Sequence, residues 1–415
     1  MRSAAAAHSD RPAVIRRRPQ VRKQVNTRSE SPLTRWSISP VILGIGVGLL
    51  VGPWGLRLIE PQLPEDGSLI ESVSEAVLLI SLFCAGLRLR TPLEWAPWRV
   101  PLQLASLSTV SAALLAALAA YLIFGMSLLQ ALLLAVILAP TDAALASDAY
   151  APTEGEQELI PFALTAEGAM TSAAVVPVAV LVLTRMGVTG AGSAVLGSLT
   201  LTALWSLVGG AAAGWLMGAA ASRWLALIDR DRQGDLLEEM IVLATGALAY
   251  ICALALRTDA LLAALAAGFA LAHGGRFRVA RKQPLGARVL RFAGRAERGA
   301  TVLVMVLLGT LLGAADFTLR TALYAAVLLI LARPLAVRLG VGRSAVTPVQ
   351  RRPLELFAAR GAAAVYCLAL AAGHELPAVF SRQLESATLV VIVASVICGA
   401  VSALAARKPT PGAAL

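Results

Sequence analysis

Four charged residues of this sequence lie within long apolar stretches, where a charge is energetically expensive. They are Asp142, Asp148, Glu167 and Arg360. An ionised side chain in the middle of a bilayer costs roughly 2.5–3.5 kcal/mol on insertion scales, so such residues usually pair with one another or line an ion pathway. A carboxylate suits this chemistry because it can hold either a proton or a cation.

Asp142 is the strongest candidate for a direct role. It follows Pro140 and Thr141, and proline removes a helical hydrogen bond and clashes with the preceding turn. We therefore expect the helix to break here and to expose carbonyl groups and a helix end beside the carboxylate. Asp148 lies nearer to the expected membrane surface and is interpreted as a helix-end or loop acid.

Glu167 and Arg360 allow two interpretations. They either neutralise each other as a structural ion pair or act directly in transport, and the residues alone leave both open. Thr171 and Ser172 follow Glu167 by four and five residues. Their hydroxyl groups are neutral oxygen ligands that do not titrate near neutral pH.

The composition places these residues in a membrane protein. Of the 415 residues, 58% are hydrophobic and 15% are charged, and the mean hydropathy is +0.74, whereas about a quarter of an ordinary soluble domain is charged. The apolar residues form segments of about twenty, the length of helix that crosses a bilayer, so an all-α fold is expected. The sequence shows no nucleophile with a base, no phosphate loop and no zinc spacing, so we expect neither an enzyme nor a cofactor.

The apolar segments predict about twelve transmembrane helices in one domain, residues 37–406. A basic tail, residues 1–36, precedes this domain and is expected to be disordered, and a short cytoplasmic tail, residues 407–415, follows it. The predicted spans are approximately residues 37–58, 69–89, 102–124, 127–147, 159–184, 194–222, 236–256, 260–272, 300–314, 319–337, 354–372 and 387–406.

Loop charges predict that both termini lie in the cytoplasm. Lys and Arg concentrate in alternate loops, as expected of cytoplasmic loops, with one exception around Glu154 and Glu156. The Arg-rich tail is interpreted as a topogenic signal that also contacts anionic membrane lipid. Binding of nucleic acid is not expected, because the tail lacks interleaved aromatic residues and a recognition fold.

Spans four and eleven are predicted to be broken helices. Pro140 interrupts the fourth, and Arg360 with Gly361 interrupts the eleventh at a comparable depth. Because the two spans are seven apart, they cross the membrane in opposite directions. Two broken helices in antiparallel orientation are typical of secondary transporters built from inverted repeats, in which the ion site lies between the broken helices.

These segments resemble the monovalent cation/proton antiporters, in particular the bacterial Na⁺/H⁺ exchanger branch. The segment LAPTDAALASD looks like the family's Thr-Asp-Pro motif and its following Ala-Ser-Asp, with Ala143 where Pro is usual. The segment LFAARGAAAVY looks like the family's Pro-Arg-Gly segment, with Ala359 in place of Pro. Three further segments fit, so the resemblance covers nearly all of residues 37–406: LFCAGLRLR, LARPLAVRLG and LAALAAGFALAHG.

The resemblance implies a homodimer in the inner membrane, with a dimerisation half, a moving core half and alternating access for the ion. It also implies that Thr141 and Asp142 lie where the broken helices cross, and that Glu167 pairs with Arg360 to hold the core together.

The sequence departs from the family's pattern at three places. The family's Asn-Asp pair, whose Asp is its principal ion-binding group, corresponds here to Thr171 and Ser172. Ala85 stands where an acid is common, and the family's usual first span corresponds to the basic tail. Of the acids near the site, only Asp142 and Glu167 remain.

These observations lead to one leading prediction and two alternatives. The leading prediction is a secondary transporter that exchanges Na⁺ or K⁺ for protons, with Asp142 as the titratable group and Thr141, Thr171 and Ser172 as neutral ligands. The first alternative is a non-exchanging relative, such as a sensor, a partner subunit or an uncoupled ion pathway, that keeps the fold without the carrier carboxylate. The second is transport of an anion drawn to Arg360 and the positive helix ends.

Overall fold

The computed structural model of the chain is helical throughout the part that it describes. It describes residues 40–149, 159–188, 196–227, 235–274, 287–342 and 345–406, and these ranges contain no β-strand. The predicted all-α fold is therefore confirmed. The tails predicted at residues 1–36 and 407–415 lie outside the described residues.

Sixteen α-helices run through the described ranges. They are α1 (Pro40–Val51), α2 (Leu63–Arg88), α3 (Trp95–Gln103), α4 (Thr109–Phe124), α5 (Leu128–Ile137), α6 (Ala143–Ala149), α7 (Leu159–Arg185), α8 (Leu196–Leu227), α9 (Asp235–Ala255), α10 (Ala260–His273), α11 (Ala287–Leu311), α12 (Leu319–Ala326), α13 (Arg333–Gly340), α14 (Pro348–Leu356), α15 (Ala362–Ala372) and α16 (Ala378–Ala406). Short π-helical stretches join α3 to α4 and α12 to α13.

Eight helical segments of the described chain are long and apolar enough to cross a membrane, and four shorter apolar helices accompany them. The short ones are α1, α5, α10 and α15. The helix predicted to begin near residue 300 begins earlier, at Ala287, because its first turns are amphipathic and carry arginines that a hydropathy scan rejects. The count of about twelve spans stays a prediction.

Two helices are interrupted, as the sequence predicts. Residues 138–142 separate α5 from α6, and residues 357–361 separate α14 from α15. Pro140 lies in the first interval and has no N–H for a helical hydrogen bond. Arg360 and Gly361 lie in the second interval. Both breaks are therefore marked in the sequence by residues that weaken a helix.

Glycine lets several helix pairs pack at backbone contact. A Cβ on Gly48 of α1 would overlap the Val306 carbonyl of α11, and a Cβ on Gly214 of α8 would overlap the Ala263 carbonyl of α10. Helix α10 also packs closely on α2, where Gly86 lies against its backbone. Such contacts stabilise helix pairs in lipid, where burial of apolar surface supplies no driving force.

Helix α7 brings three of the predicted site residues to the first interval. It packs against α5, α6 and α15. A Cβ on Gly168 would lie only 2.8 Å from the Ala143 nitrogen and 2.9 Å from the Thr141 carbonyl oxygen. This close approach places the part of α7 that carries Glu167, Thr171 and Ser172 beside the break.

Candidate functional site

Asp142 caps two helices at the point where the broken helices cross. Its backbone N–H donates to the Ala359 carbonyl at 2.9 Å. Its Oδ1 accepts from the backbone N–H groups of Ala144 and Leu145 of α6 at 2.9 and 3.0 Å, and its Oδ2 accepts from Ala362 of α15 at 3.3 Å. The buried carboxylate thus lies at two helix N-termini, where a negative charge is stabilised.

Arg360 occupies the opposite ends of the same crossing. Its buried guanidinium donates from Nε to the Leu138 carbonyl and from Nη1 to the Ala358 carbonyl, the latter at 3.0 Å. Leu138 follows the last residue of α5, and Ala358 lies two residues beyond the end of α14. The backbone N–H of Arg360 donates to Ser395 Oγ of α16 at 2.9 Å. A positive charge therefore lies at two helix C-termini, where it is favourable.

Glu167 pairs with Arg333, so the prediction of an ion pair between Glu167 and Arg360 was wrong. Arg333 Nη2 donates to Glu167 Oε2 at 2.9 Å, and Nη1 donates to Oε1 at 2.5 Å. Both side chains are buried. The physical reason is that the donors of Arg360 point to carbonyl groups at the crossing, while Arg333, the first residue of α13, lies across from α7. Arg360 interacts with Glu167 and Arg333 electrostatically, at longer range than a hydrogen bond.

The structure brings three of the four predicted ligand residues together. Ser172 Oγ of α7 donates to the Thr141 carbonyl at 3.2 Å, and Thr141 precedes Asp142. Thr141 Oγ1 is buried and has no hydrogen-bond partner among the described residues. Thr171 instead forms a hydrogen bond within its own helix, in which Oγ1 donates to the Glu167 carbonyl at 2.9 Å.

Gly361 is required for the crossing to close. A Cβ at this position would overlap the Asp142 carboxylate, contacting Oδ2 and Cγ. Since both oxygens of Asp142 are held by backbone donors, the carboxylate has little room to move. Any side chain at residue 361 would push the two broken helices apart.

Two acids on α2 were missed as candidates from the sequence. Glu71 and Glu75 lie one turn apart, half-buried, and Glu75 Oε1 accepts a hydrogen bond from the Tyr250 hydroxyl of α9 at 2.8 Å. The signal was present, because both acids fall within the predicted span 69–89. Arg333 was missed in the same way, as an arginine inside the predicted span 319–337.

A further ion pair joins α2 to two other helices. Arg88, the last residue of α2, donates from Nη1 to Ser147 Oγ of α6 at 2.5 Å and pairs through Nη2 with the buried Glu297 of α11. The side chain of Asp148, the neighbour of Ser147, lies outside the described residues. Arg88 thus ties the short helix after the first break to α2 and α11.

A bundle of membrane-spanning helices in which two broken helices cross at buried charges defines a secondary transporter of the inverted-repeat class. The sequence pattern of one family, sodium/hydrogen exchanger, transmembrane, matches residues 29–406. The chain belongs to this family. It is thus a cation/proton exchanger, as the leading prediction has it, and the non-exchanging alternative is not favoured.

Solved structures show the same fold. A structure of the sodium proton antiporter MjNhaP1 from Methanocaldococcus jannaschii at pH 8 has a TM-score of 0.70 and 17% identity, covering 87% of this chain and 92% of that chain. An electron-microscopy map of the same antiporter gives a TM-score of 0.68 and 19% identity, covering 89% of this chain and 92% of that chain. No curated protein matches the sequence.

Proposed function

We propose that the crossing of the broken helices is where this exchanger binds its monovalent cation, Na⁺ or K⁺, in competition with protons. The observation that supports this is the buried Asp142 carboxylate held at the N-termini of α6 and α15. It provides a negative charge at the depth where the transmembrane helices are interrupted. A carboxylate there can exchange a proton for a cation directly.

Neutral oxygens complete the proposed site. Thr141 Oγ1 is buried without a hydrogen-bond partner among the described residues, so a cation would satisfy it. Ser172 Oγ uses its proton on the Thr141 carbonyl, which leaves its lone pairs to accept a cation. Thr171, one residue earlier on α7, is the fourth proposed ligand and would have to turn away from the Glu167 carbonyl to reach the ion.

In this proposal, the charged residues Glu167, Arg333 and Arg360 around the site keep fixed charges and are called its frame. Glu167 is neutralised by Arg333, and Arg360 by the carbonyl groups at the helix C-termini. The frame holds its charges permanently, so within the crossing only the Asp142 charge changes when the ion or proton binds.

We further propose a multi-pass protein of the inner membrane, a homodimer with both termini in the cytoplasm and with the basic tail against anionic lipid. The alternation of basic loops supports this topology. In it, α2 begins on the outer side of the membrane, and Arg88 lies at the inner side. The chain acts as a transporter rather than an enzyme, and needs no nucleic-acid partner.

The test is cation-driven proton movement in vesicles reconstituted with the full chain. Addition of Na⁺, K⁺ or Li⁺ is expected to dissipate an imposed pH gradient, and Asp142→Asn is expected to abolish the effect. Asp316→Asn is the matched control, because Asp316 is exposed and makes no contact with the crossing among its described interactions. Unchanged exchange in Asp142→Asn would show that this carboxylate is not the carrier.

A further inference from the structure

Helix α2 carries a carboxylate in the middle of its length. Glu75 is the thirteenth of the 26 residues of α2, and so lies ~18 Å along the helix axis from its first residue. Glu71 lies one turn nearer to that end. A carboxylate at this depth has a function or a partner by default, because its desolvation is costly.

The described surroundings of Glu75 are polar and include a phenol and two further acids. Tyr250 of α9 donates its hydroxyl to Glu75 Oε1 at 2.8 Å. Glu75 also interacts electrostatically with Glu71 on its own helix, with Asp259 at the start of α10 and with Tyr366 of α15. These five residues, Glu71, Glu75, Tyr250, Asp259 and Tyr366, are called the carboxylate–phenol cluster below.

The cluster holds three carboxyl groups without a compensating arginine or lysine. Among the described residues, no basic side chain forms a salt bridge with Glu71 or Glu75, although His374 interacts electrostatically with Glu71. Three buried glutamates among the described residues do have such partners: Glu167, Glu297 and Glu355 each pair with an arginine. The charge of the cluster must therefore be balanced by protons or by a bound cation.

Tyr366 supplies an independent sign of a ligand. The residue is 7% exposed, it interacts electrostatically with Glu75 and Glu71, and no described residue hydrogen-bonds to its hydroxyl. A cation bound beside Glu75 would give this hydroxyl a partner, because a phenol oxygen can serve as a neutral ligand. Tyr366 lies one turn beyond Ala362, whose N–H holds Asp142, so the cluster adjoins the crossing.

We propose that Glu75 is a second exchange site of this transporter, at which a monovalent cation bound by the Glu75 carboxylate and by the hydroxyls of Tyr250 and Tyr366 replaces a proton. The proton leaves the Glu75 carboxyl group for water as the cation arrives, so the net charge of the cluster does not change. The proposal rests on the proposed cation/proton exchange. Ser172 stands where the family usually has an exchanging acid, and Glu75 would supply the missing carboxylate.

The first test measures proton release from the purified full chain in weakly buffered detergent solution on addition of NaCl, KCl or LiCl, with choline chloride as the blank. The wild-type protein is expected to release protons with at least one of the three cations. Glu75→Gln is expected to release about half as many, since one of the two exchanging carboxylates is removed. Glu75→Asp keeps a titratable group and is expected to restore release, and Glu65→Gln, an exposed acid of α2, is the matched control.

The second test separates binding from folding. Tyr366→Phe keeps the ring and removes only the hydroxyl, so it is expected to raise the cation KM of exchange several-fold, with the rate at saturating cation retained. In the same vesicles, Glu75→Gln is expected to weaken the pH dependence of the cation KM, because a proton and a cation then compete at Asp142 alone.

The outcomes distinguish this site from the exchange function. Proton release that is equal in Glu75→Gln and the wild type, or absent in the wild type with all three cations, overturns the Glu75 site. Exchange in vesicles that persists with wild-type pH dependence in Glu75→Gln overturns the site but leaves the exchange function. Proton release that depends on Glu75, with no ion movement in vesicles, overturns the exchange function but leaves the site.

Discussion

The helix crossing and the carboxylate–phenol cluster are adjacent regions that differ in how their buried charges are balanced. At the crossing, Asp142 lies at helix N-termini, Arg360 at helix C-termini, and Glu167 against Arg333. In the cluster, Glu75 accepts a hydrogen bond from a phenol and interacts with the acids Glu71 and Asp259. Apart from Asp142, which is proposed to exchange a proton for a cation, the charges of the crossing are balanced by the fold, whereas the cluster leaves its balance to the ions that it binds.

This difference separates the residues that build the transporter from those suited to exchange. A buried charge with a fixed partner is held in one state, because losing the partner leaves an uncompensated charge in an apolar medium. A half-buried carboxylate without a basic partner can change state at low cost. On this argument, Arg360 and Glu167 form the frame, and the second alternative, an anion drawn to Arg360, loses its support because the guanidinium donates to two carbonyl groups.

The largest expected effect is on stability, in Glu167→Gln. The change leaves the buried Arg333 guanidinium without its carboxylate and is expected to lower the free energy of unfolding by roughly 3–5 kcal/mol. Thermal unfolding of the detergent-solubilised protein measures it. Glu75→Gln is the matched comparison, because it removes a carboxylate without leaving a buried cation, and its stability is expected to change by less than about 1 kcal/mol.

Replacing both partners sharpens the same comparison. Glu167→Met combined with Arg333→Met removes the two charges together and is expected to recover most of the stability lost in Glu167→Gln, as apolar pairs of similar volume often do. Equal destabilisation by Glu167→Gln and Glu75→Gln would contradict the distinction between a balanced crossing and an unbalanced cluster.

A smaller effect is expected from Gly361→Ala. The added Cβ overlaps the Asp142 carboxylate, which two helix ends hold in place, and overpacking of this kind costs about 1–3 kcal/mol. We expect reduced thermal stability together with reduced exchange in vesicles. Gly46→Ala is the control, since a Cβ there meets nothing within 4 Å in α1 and alanine favours a helix. An unchanged melting temperature in Gly361→Ala would show that the crossing is more open than its geometry indicates.

The helix breaks could be predicted from the sequence, but the partners of the buried charged residues could not. Pro140 and the Arg360–Gly361 pair interrupt their helices through local chemistry, so the intervals 138–142 and 357–361 could be placed from residue types alone. The partner of Glu167 depends on which helix lies opposite α7, and that is decided by the packing of α13 against its neighbours. Hydropathy carries no information about such contacts.

Glu75 was missed because of where its helix begins. The predicted span started at residue 69, which placed Glu71 and Glu75 close to its end, at the depth where an acid is unremarkable. Helix α2 begins six residues earlier, at Leu63, because Glu65 and Asp66 suit the first turn of a helix although they are polar. The earlier start moves Glu75 to mid-helix. If the start of the helix had been located from its first-turn acids as well as from hydropathy, Glu75 would have been placed at mid-helix.

The smallest effect is expected from Ser172→Ala, at the position where the family's acid is absent. The change removes one hydrogen bond to the Thr141 carbonyl, worth about 1 kcal/mol, and one neutral ligand of the proposed crossing site. We expect the cation KM in vesicles to rise by about fivefold, with the rate at saturating cation and its pH dependence retained, because a hydroxyl does not titrate in this range. Complete loss of exchange in Ser172→Ala, with Glu75→Gln unaffected, would place all of the exchange at the crossing and remove the distinction between the two regions.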